Sequence, residues 1–257
     1  MSKIVFFDID GTLLNHDKTI PESTKKAIRQ LKEQDVFVAI ATGRAPFMFE
    51  DIRKELDIDS YVSFNGQYVV FENEPIYKNP LNQEALIKLH NKAKSHHHPL
   101  VFLNESDMKA DILEDVMIAE AMGSLRFGHP EKDETFYLKN EVYQSLLFCK
   151  DEWQQEYERE FTAFTFIRWH EYSVDVIPKG GSKAEGIKKM LEKVGFQLKD
   201  SYAFGDGLND IEMIQTVGTG VAMGNAVEDL KIHANFITKN VDEEGIVYGL
   251  KSVGLLR

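Results

Sequence analysis

The sequence predicts an α/β protein in which a parallel sheet covered by helices is interrupted by a separate α+β segment. Three observations carry this reading. Apolar strand-like runs alternate with stretches of helical period at both ends of the chain, which is the signature of parallel strands joined by crossover helices. Between about residues 82 and 177 that rhythm gives way to an interleaving of helices and strands. After Pro178-Lys179-Gly180-Gly181 the first rhythm resumes.

In order, the pattern predicts a strand over 4–8, then a helix over 21–34 whose Thr24, Ala27, Ile28 and Leu31 share one face. Pro21 suits that helix's first turn. A strand over 36–41, a helix over 46–56 and a strand over 61–64 follow, and Asn65-Gly66 reads as a hairpin turn into a strand over 68–71. The middle segment offers helices over 83–93, 115–122 and 152–161, with strands over 100–103, 142–149, 164–169 and 173–177. The returning segment begins with a helix over 183–194, its buried face formed by Ile187, Met190, Leu191 and Val194. Strands over 202–205, 220–222 and 235–237 complete it. No internal repeat or low-complexity tract is visible.

At 257 residues the chain can bury one large core, or one core and a smaller domain. A formal net charge of −12 at pH 7 argues against nucleic acid as a partner, because phosphate-backbone binding needs a basic surface. It does not exclude small phosphorylated molecules, provided a cation reverses the sign locally. The single Cys149 cannot form an internal disulfide and reads as a small buried apolar residue. No apolar run reaches membrane-spanning length and no signal peptide is evident. The expected location is cytoplasmic, with no membrane partner.

Chemistry concentrates where the predicted core strands end, which is where ligands bind in open α/β sheets. The first strand runs Ile4-Val5-Phe6-Phe7 into Asp8-Ile9-Asp10-Gly11-Thr12. Side chains two apart on a strand point the same way, and two unit charges about 4 Å apart repel by ~1 kcal/mol in water and ~4 kcal/mol at a protein-like dielectric. Stability alone does not favour such a pair at the end of a buried strand. Three more segments sit at comparable places: Ala41-Thr42-Gly43-Arg44, Lys183 at a helix start, and Gly205-Asp206-Gly207-Leu208-Asn209-Asp210. Read singly, each has an ordinary alternative. Thr42-Gly43 is equally a capped turn, Lys183 a solvated lysine, and the last segment a plain turn or calcium loop, although Thr216 stands near where an EF-hand wants glutamate.

In this order and spacing the four segments resemble those of the haloacid dehalogenase superfamily of phosphohydrolases, most closely its Cof-like subfamily. The resemblance covers the whole chain. It implies a Rossmann-like core over 1–81 and 178–257 with an inserted α+β cap over 82–177 that closes on the core and selects the substrate. It also implies a phosphatase for small metabolites such as sugar phosphates, phosphorylated cofactors or flavin precursors. By the same resemblance Asp8 is the nucleophile that becomes an aspartyl phosphate, and Asp10 is the acid and base. Ile9, Thr42, Gly43, Lys183 and Asn209 bind phosphate; Asp8, Asp10 (through its backbone carbonyl) and Asp206 hold the metal; Thr12, Arg44 and Asp210 support them.

Charge supports that assignment independently. One lysine cannot offset Asp8, Asp10, Asp206, Asp210 and a dianionic ester, so a divalent cation is required, and all-oxygen ligands suit Mg²⁺. A side chain of Asp10 free of the metal is available to protonate a leaving alcohol and then activate water. The P-type ATPases, which look similar but keep a long-lived phosphoaspartate, have threonine there. Two alternatives remain: a phosphomutase of the phosphomannomutase type, for which Arg126, Lys132, Lys139 and Arg168 are the available cap cations, and a non-catalytic sugar-phosphate-binding regulator. A monomer or homodimer is expected. His96-His97-His98 reads as a solvated loop, and Arg168, Trp169 and His170 as sheet residues or substrate-facing ones.

Overall fold

The computed structural model describes residues 2–256. Two compact units emerge: the chain up to Arg44 with Phe49–Tyr77 and everything from Ser182 onward, and Ala45–Met48 with Lys78–Gly181. The divisions at 77/78 and 181/182 fall a few residues from the seams expected at 81/82 and 177/178, whereas Ala45–Met48, expected in the core, group with the second unit. Leu81 packs in the apolar core of the second unit, where its N–H donates to the Val142 carbonyl at 2.7 Å.

The chain opens with β1 (Ile4–Phe7), α1 (Glu22–Glu33), β2 (Phe37–Ala41), α2 (Glu50–Leu56), β3 (Tyr61–Ser63), β4 (Tyr68–Phe71) and β5 (Glu74–Lys78). It continues through α3 (Gln83–Ser95), β6 (Leu100–Leu103), β7 (Met108–Ala110), α4 (Val116–Ser124), α5 (Phe136–Lys139), β8 (Gln144–Phe148), α6 (Asp151–Glu160), β9 (Phe164–His170) and β10 (Ser173–Pro178). It returns with α7 (Lys183–Val194), β11 (Ser201–Gly205), α8 (Ile211–Thr216), β12 (Thr219–Ala222), α9 (Glu228–Lys231), β13 (Phe236–Ile237) and α10 (Gly245–Ser252).

The first unit is built on a sheet of order β13-β12-β11-β1-β2-β3-β4-β5. Its strands run parallel from β13 to β3, and β4 turns back antiparallel. All four residues of β1 are apolar and completely buried, as a strand covered on both faces requires. Each such side chain contributes roughly 1.5–3 kcal/mol of burial. From β1 the chain winds one way to β2, while β11 flanks it on the other side and winds away to β12. The β1/β11 border is therefore the topological switch point, and ligands bind beyond the carboxyl ends of strands there. Asp8 follows β1 and Asp206 follows β11.

Helix α1 buries the Thr24, Ala27, Ile28 and Leu31 face. Helix α7 starts where the Ser182 side chain accepts from the Glu185 N–H, and stops at Gly195 in the left-handed region (φ 88°), the usual pairing of a hydroxyl cap with a glycine stop.

The second unit holds an antiparallel sheet of order β7-β6-β8-β10-β9. Leu86 and Leu89 from α3, Tyr157 from α6, and Phe102, Leu147, Val174 and Val176 from the sheet share one core with the buried Cys149. The solvated loop expected at 96–98 is corrected at its last residue. His98 is buried, its Nδ1 lies 2.7 Å from the Tyr157 hydroxyl, and its ring packs edge-on against Trp153. Burial pushes its pKa below the ordinary value, and neighbouring His96 adds to that. Arg168 is likewise engaged within the unit, donating to Gln154 Oε1 at 3.0 Å and to the Glu171 carbonyl at 2.8 Å. Among the described residues no helix is long and apolar enough to cross a membrane.

Candidate active site

Lys183 lies at the centre. It opens α7 and is 1 % exposed, and its Nζ donates to Asp8 Oδ1 at 2.6 Å and to Asp210 Oδ1 at 2.7 Å. The solvated alternative is thereby removed. Asp210 in turn shapes the turn after β11, where its Oδ2 accepts from the N–H groups of Asp206 and Gly207, both at 3.0 Å. Asp206 Oδ1 accepts from the Thr12 hydroxyl at 2.9 Å. Carboxylate oxygens of Asp8, Asp206 and Asp210 lie within 4.8 Å of one another.

Three carboxylates sharing one ammonium are electrostatically incomplete, and the acidities of Asp8 and Asp206 register it. Burial raises the Asp8 pKa well above its ordinary value; Lys183 opposes this, while Asp210, Asp206 and Asp10 reinforce it. Burial, followed by the charge of Asp210, pushes Asp206 up to about 7 against the Thr12 hydrogen bond and Lys183. Burial pulls Lys183 down, but Asp210 and Asp8 outweigh it and leave its pKa raised. A buried, all-oxygen cluster with unbalanced negative charge fits a hard divalent cation. Gly11 leaves room for the Asp206 carboxylate: with φ 78°, it sits where a Cβ would collide with it.

Asp10 belongs to a different set of contacts. Arg44 Nε donates to its Oδ2 at 2.8 Å and Arg44 Nη2 to its Oδ1 at 2.6 Å, and Lys18 Nζ reaches Oδ1 at 2.7 Å. The side chain, expected to be free of the metal, is thus held by two cationic side chains. Burial alone would raise its pKa, but Arg44 and Lys18 lower it.

The remaining positions form the rim. Ile9 is wholly buried, and its carbonyl accepts from the Leu14 N–H at 2.8 Å. The Thr42 hydroxyl accepts from the Arg44 N–H at 3.1 Å, capping its own turn. Gly43 lies against the side-chain amide of Asn65, and Asn209 Nδ2 donates to Asn65 Oδ1 at 3.2 Å. Sequence reasoning missed three participants. Lys18 lies in a polar loop without a pattern. Asn225, whose Nδ2 donates to the Gly11 carbonyl at 2.8 Å, follows an unremarked glycine. Asn65 was visible only as half of a turn dipeptide.

A parallel sheet whose switch point carries a buried lysine among aspartates defines an α/β enzyme with a phosphoryl-type, metal-competent centre. The chain belongs to the haloacid dehalogenase-like hydrolase family, whose model matches residues 5–250. It is 54% identical over 256 residues to YkrA of Bacillus subtilis (strain 168), which bears a provisional phosphatase name, covering 100% of this chain and 99% of that protein. It is 29% identical over 252 residues to 5-amino-6-(5-phospho-D-ribitylamino)uracil phosphatase YcsE of the same organism, covering 97% of this chain and 94% of that one. Among solved structures, a protein of Geobacillus kaustophilus HTA426 superposes with a TM-score of 0.94 at 57% identity, covering 100% of both chains. The subclass IIB sugar phosphatase BT4131 superposes with a TM-score of 0.89 at 30% identity, covering 99% of this chain and 100% of that one.

Proposed function

We propose that this hydrolase is a Mg²⁺-dependent phosphatase that cleaves phosphate monoesters of small metabolites through an aspartyl phosphate on Asp8. The observation that carries this is the buried Lys183 bridging Asp8 and Asp210 at 2.6 and 2.7 Å: it anchors one Asp8 oxygen and leaves the other to attack. In the first step Asp8 forms a bond to phosphorus, the ester P–O bond breaks, and Asp10 supplies the proton that the leaving alkoxide takes. In the second, water attacks phosphorus, the bond to Asp8 breaks, and Asp10 recovers a proton from that water. Arg44 and Lys18 lower the Asp10 pKa and so ease release of its proton to the leaving alkoxide, and the proton recovered from water restores the acid form for the next turnover. Thr42, Gly43, Lys183, Asn209 and the Ile9 backbone cradle the phosphoryl oxygens.

Asp8, the Asp10 carbonyl and Asp206 would hold the cation, with Asp210 supporting them; when bound, it supplies the positive charge that lets an anionic nucleophile approach an anionic ester. The flavin-precursor and sugar-phosphate activities named for YcsE and BT4131 favour ribityl or sugar phosphates among the substrates. A cytoplasmic monomer or homodimer without nucleic-acid or membrane partners completes the reading.

The test is phosphate release from para-nitrophenyl phosphate and a panel of phosphorylated metabolites, with Mg²⁺ and with EDTA, for the parent protein and Asp8→Asn. Turnover that needs Mg²⁺ and Asp8 supports the reading. Undiminished turnover by Asp8→Asn overturns it.

A further inference from the structure

We propose that Asn65 is a positioning residue for phosphate binding, one that fixes the side-chain amide of Asn209 through its own. The proposal rests on the phosphatase reading and adds to it a residue outside the four segments that define the site.

Asn65 sits at the tip of the β3–β4 hairpin, a place where side chains ordinarily face water. Here it is 1 % exposed. Its backbone is left-handed (φ 50°, ψ 40°), and so are its neighbours Phe64 (φ 51°) and Gly66 (φ 98°). Non-glycine residues in that region carry roughly 1–2 kcal/mol of strain, which persists where the surroundings hold it and often marks function.

Those surroundings are the phosphate-site loops themselves. The Asn65 N–H donates to the Thr42 carbonyl at 3.1 Å, and the Phe64 N–H to the Arg44 carbonyl at 3.2 Å. Gly66 packs so closely on the Ser182 carbonyl and the Gly186 backbone, in the first turn of α7, that no Cβ fits. The turn therefore ties together the loop after β2 and the helix start that carries Lys183.

Within that frame the Asn65 amide is fixed from two sides. A Cβ at Gly43 would stand only 3.0 Å from its Nδ2 and 3.1 Å from its Oδ1, so the glycine there serves Asn65. On the other side Oδ1 accepts from Asn209 Nδ2 at 3.2 Å. That bond sets the plane of the Asn209 amide. Without it Asn209 must lose rotamer freedom each time phosphate binds.

The decisive variant is Asn65→Gly, because glycine adopts the left-handed turn without strain and keeps both backbone hydrogen bonds while removing the amide. Binding of inorganic phosphate to the Mg²⁺-loaded protein is measured by calorimetry beside steady-state kinetics. The phosphate Kd and the KM are expected to rise roughly three- to tenfold, the effect of one hydrogen bond, with the melting temperature unchanged. Because Asn65 acts through Asn209, Asn65→Gly is expected to add little to Asn209→Ala in the double variant. Parent-like phosphate affinity, a fall in melting temperature of more than a few degrees, or full multiplication of the two single effects overturns the proposal. A parent protein that neither binds nor releases phosphate refutes instead the phosphatase reading beneath it.

Discussion

Arg44 grips Asp10 through two parallel hydrogen bonds, from Nε to Oδ2 at 2.8 Å and from Nη2 to Oδ1 at 2.6 Å. This two-pronged pair divides the aspartates of the site into two electrostatic groups. Asp10 is neutralised by Arg44 and Lys18, whereas Asp8, Asp206 and Asp210 share Lys183 and still lack positive charge.

Removing the guanidinium should therefore impair the proton transfer proposed for Asp10 and spare the carboxylate cluster. Arg44→Ala is expected to lower kcat about tenfold to a hundredfold, less than the roughly 10²- to 10⁴-fold ascribed to the general acid–base group itself, while Mg²⁺ affinity is retained. Arg44→Lys should recover little, since an ammonium cannot reproduce the planar fork. Steady-state kinetics and Mg²⁺ titration followed by calorimetry check both expectations.

The carboxylate cluster predicts a thermal response to metal. Mg²⁺ at a hundred times its Kd should stabilise the folded chain by about 2.7 kcal/mol, or several degrees in melting temperature for a chain of this size. Asp206→Asn relieves part of the repulsion and removes a proposed ligand. Its metal-free form is expected to melt at or above the parent's temperature, and its Mg²⁺-induced shift to shrink, as differential scanning calorimetry will show.

At Gly11 both backbone and space demand glycine. Gly11→Ala places a Cβ on a left-handed residue and against the Asp206 carboxylate. A loss of roughly 1 kcal/mol or more from the strained backbone is expected, with Mg²⁺ binding weakened by displacement of Asp206. Urea unfolding measures the first effect and metal titration the second.

The second unit should be sensitive to mild acid through His98. Its folded pKa lies below the ordinary 6.5, so the unfolded chain takes up this proton first. The stability tied to the neutral ring is complete above about pH 6.5 and is lost as pH falls from there through the folded value. Melting temperatures from pH 7.5 to 5 should fall more steeply for the parent than for His98→Gln. Parallel curves would refute this.

What was legible in the sequence is what local pattern specifies. The apolar run of β1 announced a central strand, and glycine beside acids or threonine at strand ends announced the loops carrying Asp8, Thr42 and Asp206. By contrast β5, with exposed or half-buried residues, and the three-residue β7 have no apolar run to read. The pairing of Asp10 with Arg44 joins residues 34 apart, and spacing alone says nothing of it. His98 looked solvated because its partner Tyr157 lies 59 residues away. Asn65 was readable as a turn residue, but its burial follows from three elements meeting on it.

The bond between Lys183 and Asp8 spans 175 positions and that between Thr12 and Asp206 spans 194. A chain made from its N-terminus must therefore hold β1 without its β11 neighbour until nearly the whole molecule has been synthesised. The unbroken stretch Lys78–Gly181, which with Ala45–Met48 makes up the second unit, is complete before β11 is made. Contacts of such long range close slowly, and until they do the apolar edge of β1 stands open to other chains. Nascent protein is thus most prone to aggregate in the interval before β11 arrives.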